Sequence, residues 1–101
     1  MVEASIQEQV LRVKKISRMM KTVGHPTRLQ IIELLLEKGP LPVKDIVEET
    51  GISQSNASQH LKALEDIEVL ISGRQGKSIV YAIGKKQIST LLQCVRSCVG
   101  C

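Results

Sequence analysis

All three cysteines of this chain fall in its last eight residues, Cys94-Val95-Arg96-Ser97-Cys98-Val99-Gly100-Cys101. Offsets of four and three return to one face of a helix. At about 100° per residue, Cys94, Cys98 and Cys101 fall within roughly 60° of one another. The apolar residues Ile88, Leu91, Leu92, Val95 and Val99 form a sector centred about 110° away. The thiols are therefore expected to face a groove separate from apolar packing. Gly100 weakens the helix, so Cys101 can curl back as a mobile ligand. Arg96 is close enough in sequence to favour thiolate.

Several chemistries fit this triplet. Three sulfurs suit As(III) or Sb(III), or a thiophilic divalent metal ion with an added ligand. The same spacing allows redox sensing through disulfide or polysulfide chemistry, though the bridge would be strained on a helix. Cys-x3-Cys-x2-Cys also occurs where an iron–sulfur cluster keeps one iron open. Tail thiols with no role are the remaining reading.

The rest of the chain must say what such a sensor controls. Its 101 residues make one domain, 1–101, and 43% are apolar. Tyr81 is the sole aromatic residue, so the core must be Leu, Ile, Val and Met. That composition suits packed helices, and a core this small gains from a dimer partner. The net charge of +4 favours a polyanion. The first residues have no secretory pattern, and no apolar run is long enough to span a bilayer. A cytoplasmic protein with reduced thiols is expected, and an odd cysteine count argues against a disulfide framework. No histidine–carboxylate–nucleophile set and no glycine-rich phosphate loop marks an enzyme. A small redox carrier or a winged-helix protein adaptor is the alternative of a different class.

Along residues 5–20, Ile6, Val10, Val13, Ile16 and Met20 recur at helical steps. Lys14, Lys15, Arg18 and Lys21 make the second half of that helix basic. Gly24-His25-Pro26 interrupts it. Pro26 opens a second helix carrying Leu29, Ile32, Leu35 and Leu36, widened by Ile31 and Leu34, and Gly39-Pro40 ends it. His25 is expected to cap or pack there. A short helix over about 43–50 turns Ile46 and Val47 inward. Gly51 then suits a sharp turn, Ile52 plugs it, and Ser53 caps a helix over 54–67. Ala57, Leu61, Leu64 and Ile67 form that helix's inner stripe. Val69-Leu70-Ile71 and Ser78–Ile83 are β-rich, with residues 72–77 between them as a basic turn. A last helix spans about 85–99.

Two short helices joined by a tight glycine turn form a helix-turn-helix, and the hairpin adds a wing. The expected fold class is mainly α with a β-hairpin wing: five helices and one two-stranded hairpin, as a homodimer. Residues 53–64 contain no acid. Ser53, Gln54, Ser55, Asn56, Ser58, Gln59, His60 and Lys62 offer the hydroxyl, amide and cationic groups that base edges and phosphates accept. His60 is expected to contact DNA or the core. Arg74 and Lys77 flank the hairpin tip, placed to grip phosphate backbone or a minor groove. Double-stranded operator DNA is the expected partner, with no membrane.

These motifs resemble the arsenic-repressor (ArsR) family of bacterial winged-helix regulators. The likeness runs through Gly24-His25-Pro26-Thr27-Arg28-Leu29, residues 53–64, and Arg74-Gln75-Gly76-Lys77 with Tyr81. It implies a homodimer whose first and last helices pair across a two-fold axis, bound to an operator until an inducer releases it. Two positions depart from the family pattern. Glu68 stands where a glycine is common, so a different local turn is expected. The metal-ligating positions on the third and last helices hold Leu41-Pro42-Val43-Lys44-Asp45-Ile46 and Lys85-Lys86-Gln87-Ile88. The terminal cysteines must therefore be read on their own.

Overall fold

The computed structural model describes residues 5–100. Helix α1 spans Ile6–Val23, α2 Pro26–Lys38, α3 Val43–Thr50, α4 Gln54–Asp66 and α5 Gln87–Val99, with strands β1 at Leu41–Pro42, β2 at Leu70–Gln75 and β3 at Ser78–Ile83. Helices α1, α2 and α4 each begin where a side chain takes up a free backbone donor. The Ser5 hydroxyl accepts from the Glu8 N–H at 3.1 Å. His25 Nδ1 accepts from the Thr27 N–H at 3.1 Å, and Pro26 follows at the first helical position. The Ser53 hydroxyl accepts from the Asn56 N–H at 3.2 Å. Gly51 closes α3 with φ 74°, a left-handed conformation that costs glycine little, and so reverses the chain into α4.

The strands pair in the order β1-β3-β2, all antiparallel. Two features exceed the sequence reading. Leu41 and Pro42 pair with Tyr81 and Val80, so a third strand joins the wing to the start of α3. The wing is also longer and its turn tighter than a six-residue tip. Gln75 pairs with Ser78, leaving Gly76 and Lys77 as a two-residue turn, with Gly76 at φ 61°.

The core gathers Ile31, Ile32 and Leu35 from α2, Ile46 from α3, Ala57, Leu61 and Leu64 from α4, Val69 and Leu70 at the wing, and Ile88 and Leu92 from α5. Burying each such Leu or Ile contributes about 1.5–3 kcal/mol, which holds α4 firmly against α2 and α3. Helix α1 adds only Val23 to the buried set. Its sequence stripe is real but faces outward: Val13 is 63% exposed and Ile16 53%. The apolar sector of α5 is divided. Ile88 and Leu92 enter the core, whereas Leu91, Val95 and Val99 stay exposed.

Candidate nucleic-acid interface and thiol pair

Helix α4 packs through Ala57, Leu61 and Leu64 and presents Gln54, Ser55, Asn56, Ser58, Gln59 and Lys62 to solvent. Ser53 is exposed too, but its hydroxyl serves as the helix cap and lies 3.4 Å from the Ser55 hydroxyl. Arg74 sits on β2 opposite Ile79, and Lys77 lies in the turn; both are exposed. Arg74 is thus a strand residue rather than part of the tip. A groove of about 290 Å³ joins helix to wing, lined by Gln54 and Ser58 of α4, Lys77, Ser78 and Ile79 of the wing, and Lys44 of α3. The sequence reading missed Lys44. Its position next to Val43 at the start of the first motif helix was the available signal.

Two contacts fix α4 relative to its surroundings. The Ser72 hydroxyl donates to Glu65 Oε2 at 2.5 Å, tying α4 to the wing. On the opposite side, Arg28 Nε donates to His60 Nδ1 at 3.1 Å. His60 is half-buried and its ring lies 4.7 Å from that of His25. His60 thus meets the neighbouring α2 through Arg28 without entering the buried core. Burial lowers its pKa below the ordinary histidine value, aided by the nearby His25 and Arg28 charges.

Cys94 and Cys98 are free and exposed, one turn apart on α5. Cys101 lies outside the described residues. Leu91, Cys94, Val95 and Cys98 follow steps of three, one and three, and all four are exposed. The thiols therefore border the unburied half of that sector, because only Ile88 and Leu92 reach the chain's own core. Arg96 is also placed differently from expectation. Residues two apart do not share a helix face, and the Arg96 guanidinium pairs with Glu33 of α2. Among the described residues no group of three or more metal-ligating side chains occurs.

The model of the family described as "Bacterial regulatory protein, arsR family" matches residues 25–72, which hold α2, the helix-turn-helix and the start of the wing. The HTH-type transcriptional regulator NmtR of Mycobacterium tuberculosis is 33% identical over 78 residues, 77% of this chain and 64% of that protein. An arsenical resistance operon repressor of Staphylococcus xylosus is 30% identical over 80 residues, 79% of this chain and 76% of the repressor. The chain belongs to the ArsR family. Among solved structures, a homodimeric winged helix-turn-helix DNA-binding domain from Mycobacterium bovis superposes with a TM-score of 0.83 at 27% identity, covering 99% of this chain and 91% of that one. The match spans just under two thirds of NmtR's length.

What the chain shares with these relatives is the family's winged helix-turn-helix, a DNA-binding domain in the M. bovis protein. No helix among the described residues is long and apolar enough to cross a membrane. Glu68 adopts φ 63°, the one non-glycine residue with positive φ among those described. The glutamate thus carries the strain of a left-handed conformation that costs glycine little. The Glu68 carboxylate lies 3.9 Å from Lys85 Nζ, a weak exposed pair.

Proposed function

We propose that this chain acts as a homodimeric repressor that reads operator DNA with α4 and the wing and releases it when a thiophilic ion binds its C-terminal thiols. The observation that carries the DNA reading is the surface formed by the exposed side chains of the acid-free stretch 53–64, Lys44 and the wing cations Arg74 and Lys77. Lys62, Arg74 and Lys77 are assigned phosphate contacts. Gln54, Ser55, Asn56, Ser58 and Gln59 are assigned to base edges and nearby backbone. Ser53 acts as the cap that orients α4. Dimerisation is supported by the exposed apolar faces of α1 and α5, which a second copy would cover. It is also supported by the homodimeric M. bovis domain.

For the inducer we propose trivalent arsenic or antimony, or a thiophilic divalent ion, held by Cys94 and Cys98 with Cys101 as the third sulfur. The support is the shared exposed face of the first two thiols and the name of the S. xylosus relative. Soft metalloids prefer thiolate over nitrogen and oxygen ligands. Because the thiols border the apolar face of α5, their ligation can alter how two copies pack.

The DNA reading is tested by titrating a duplex, selected by the protein from a random pool, at several salt concentrations. Lys62→Ala and Arg74→Ala should each weaken binding and lower the slope of log affinity against log salt by about one. Gln59→Ala should change sequence preference instead. Variants at Lys62 and Arg74 that match the parent at every salt concentration would reject this docking.

A further inference from the structure

We infer that His60, Arg28 and His25 form a proton-sensitive latch that positions the recognition helix, so that acidification weakens operator binding. The inference deepens the DNA-binding role proposed for α4 and rests on it. His60 is the half-buried member of the otherwise exposed run 58–60 on α4. Its Nδ1 accepts from Arg28 Nε at 3.1 Å, across 32 residues of sequence. The Arg28 guanidinium is itself held, with Nη1 donating to the Thr22 carbonyl at 3.2 Å. One arginine on α2 thus joins the end of α1 to the middle of the recognition helix.

The hydrogen bonds define the protonation states. An imidazole nitrogen that accepts a hydrogen bond carries no proton. His60 therefore holds its proton on Nε2 and is neutral while the latch is closed. His25 Nδ1 likewise accepts from the Thr27 N–H, so its proton also lies on Nε2. Proton uptake at His60 Nδ1 would place a donor against a donor and an imidazolium against a guanidinium. Along α2 the groups facing His60 are His25 and Arg28; α1 reaches the cluster through the Thr22 carbonyl. Burial, first of all, and then the adjacent His25 and the Arg28 guanidinium act against protonation. The latch accordingly holds at neutral pH and opens as pH falls below 6.5, the ordinary histidine value.

The sign distinguishes the latch from simple electrostatics. Added positive charge near DNA ordinarily strengthens binding as pH falls. An opening latch weakens it, because α4 loses its tie to α2 on the side away from the wing.

The test measures affinity for a duplex selected from a random pool at pH 7.5, then compares pH 7.5 with pH 5.5 at constant ionic strength. The parent should lose about tenfold in affinity, within the range of ordinary coupling between sites. His60→Asn keeps an oxygen acceptor for Arg28 but cannot titrate, so it should lose that pH dependence. A parent that binds equally or more tightly at pH 5.5, or a His60→Asn variant that weakens as much as the parent, overturns the latch. Nitrogen NMR of the DNA-free protein provides a second arm. His60 should titrate below the ordinary histidine range in the parent and move upward in Arg28→Met; no movement also overturns the latch. If no duplex is recovered at pH 7.5, the DNA reading fails separately, and the NMR arm still decides whether the latch exists.

Discussion

The two ends of this molecule are finished to different degrees. The helix-turn-helix and wing are complete within one chain. Helix α4 buries Ala57, Leu61 and Leu64, is capped by Ser53, and is tied to its neighbours through Glu65 and His60. Helix α1 leaves Ile6, Val10, Val13, Ile16 and Met20 exposed, and α5 leaves Leu91, Val95 and Val99. A reading head that must hold its shape on DNA is built from internal contacts. The end that carries the thiols depends on what comes to cover it. Apolar surface that a second copy could cover is concentrated where the chain's own core is thinnest.

The contrast can be broken first at the core. Leu64→Ala removes a fully buried side chain from the reading head and should destabilise the fold by about 2–5 kcal/mol. Leu91→Ala, on the exposed half of the α5 sector, should cost the isolated chain far less. Comparable losses by chemical denaturation below the dimer dissociation constant would show that the two ends are not built differently.

Assembly gives the next effect. Ile16→Glu places a charge on the exposed apolar face of α1 and should convert a micromolar dimer to a monomer in sedimentation, with helical content nearly retained. Leu92 is unsuited to this test because it is only 8% exposed and belongs to the core, so a charge there would unfold the chain. A parent that sediments as a monomer at micromolar concentration would remove the premise.

The thiols should affect release and leave DNA binding alone. Cys98→Ser should bind the selected duplex as the parent does, yet lose most of the fall in affinity caused by arsenite. Titration with zinc, cadmium, peroxide and polysulfide would sharpen the assignment. Full release by arsenite in the variant would leave the cluster without a sensing role.

The smallest effect lies at the join between recognition helix and wing. Glu68→Gly relieves a left-handed backbone that costs a non-glycine residue about 1–2 kcal/mol. Glycine's greater freedom in the unfolded chain offsets part of that gain. A net stabilisation of about 1 kcal/mol or less is expected in a thermal melt. Glu68→Ala should show no such gain, because it retains the Cβ atom.

Most of the architecture was legible in the sequence, and the exceptions have physical causes. Helices announced themselves through periodic apolar residues and chemically distinct caps, as at Ser53 and Gly51. Strand β1 has two residues, too few to show a period. The outer half of β2, Ser72-Gly73-Arg74-Gln75, lacks apolar alternation because little of it faces the core, so it read as a turn. The polar face of α4 was visible, but the inward role of His60 depends on Arg28, which the sequence places 32 residues away. The apolar stripes were also visible; which part meets the chain's own core and which part stays open is a property of packing. Leu91 and Leu92, adjacent and chemically identical, lie on opposite sides of that division.

The two-residue strand at Leu41–Pro42 has a mechanical consequence. By pairing with β3 it stitches the wing to the root of α3, while Ser72 and Glu65 join the wing to α4. Helix, turn and wing therefore form one stiff lever with its fulcrum toward α1 and α5. In the proposed repressor, a ligand at the thiols would find no soft joint within the lever to bend and would act by swinging the whole. Each half of a dimer would keep its grip on a single half-site while the pair lost the stride that lets both grip at once.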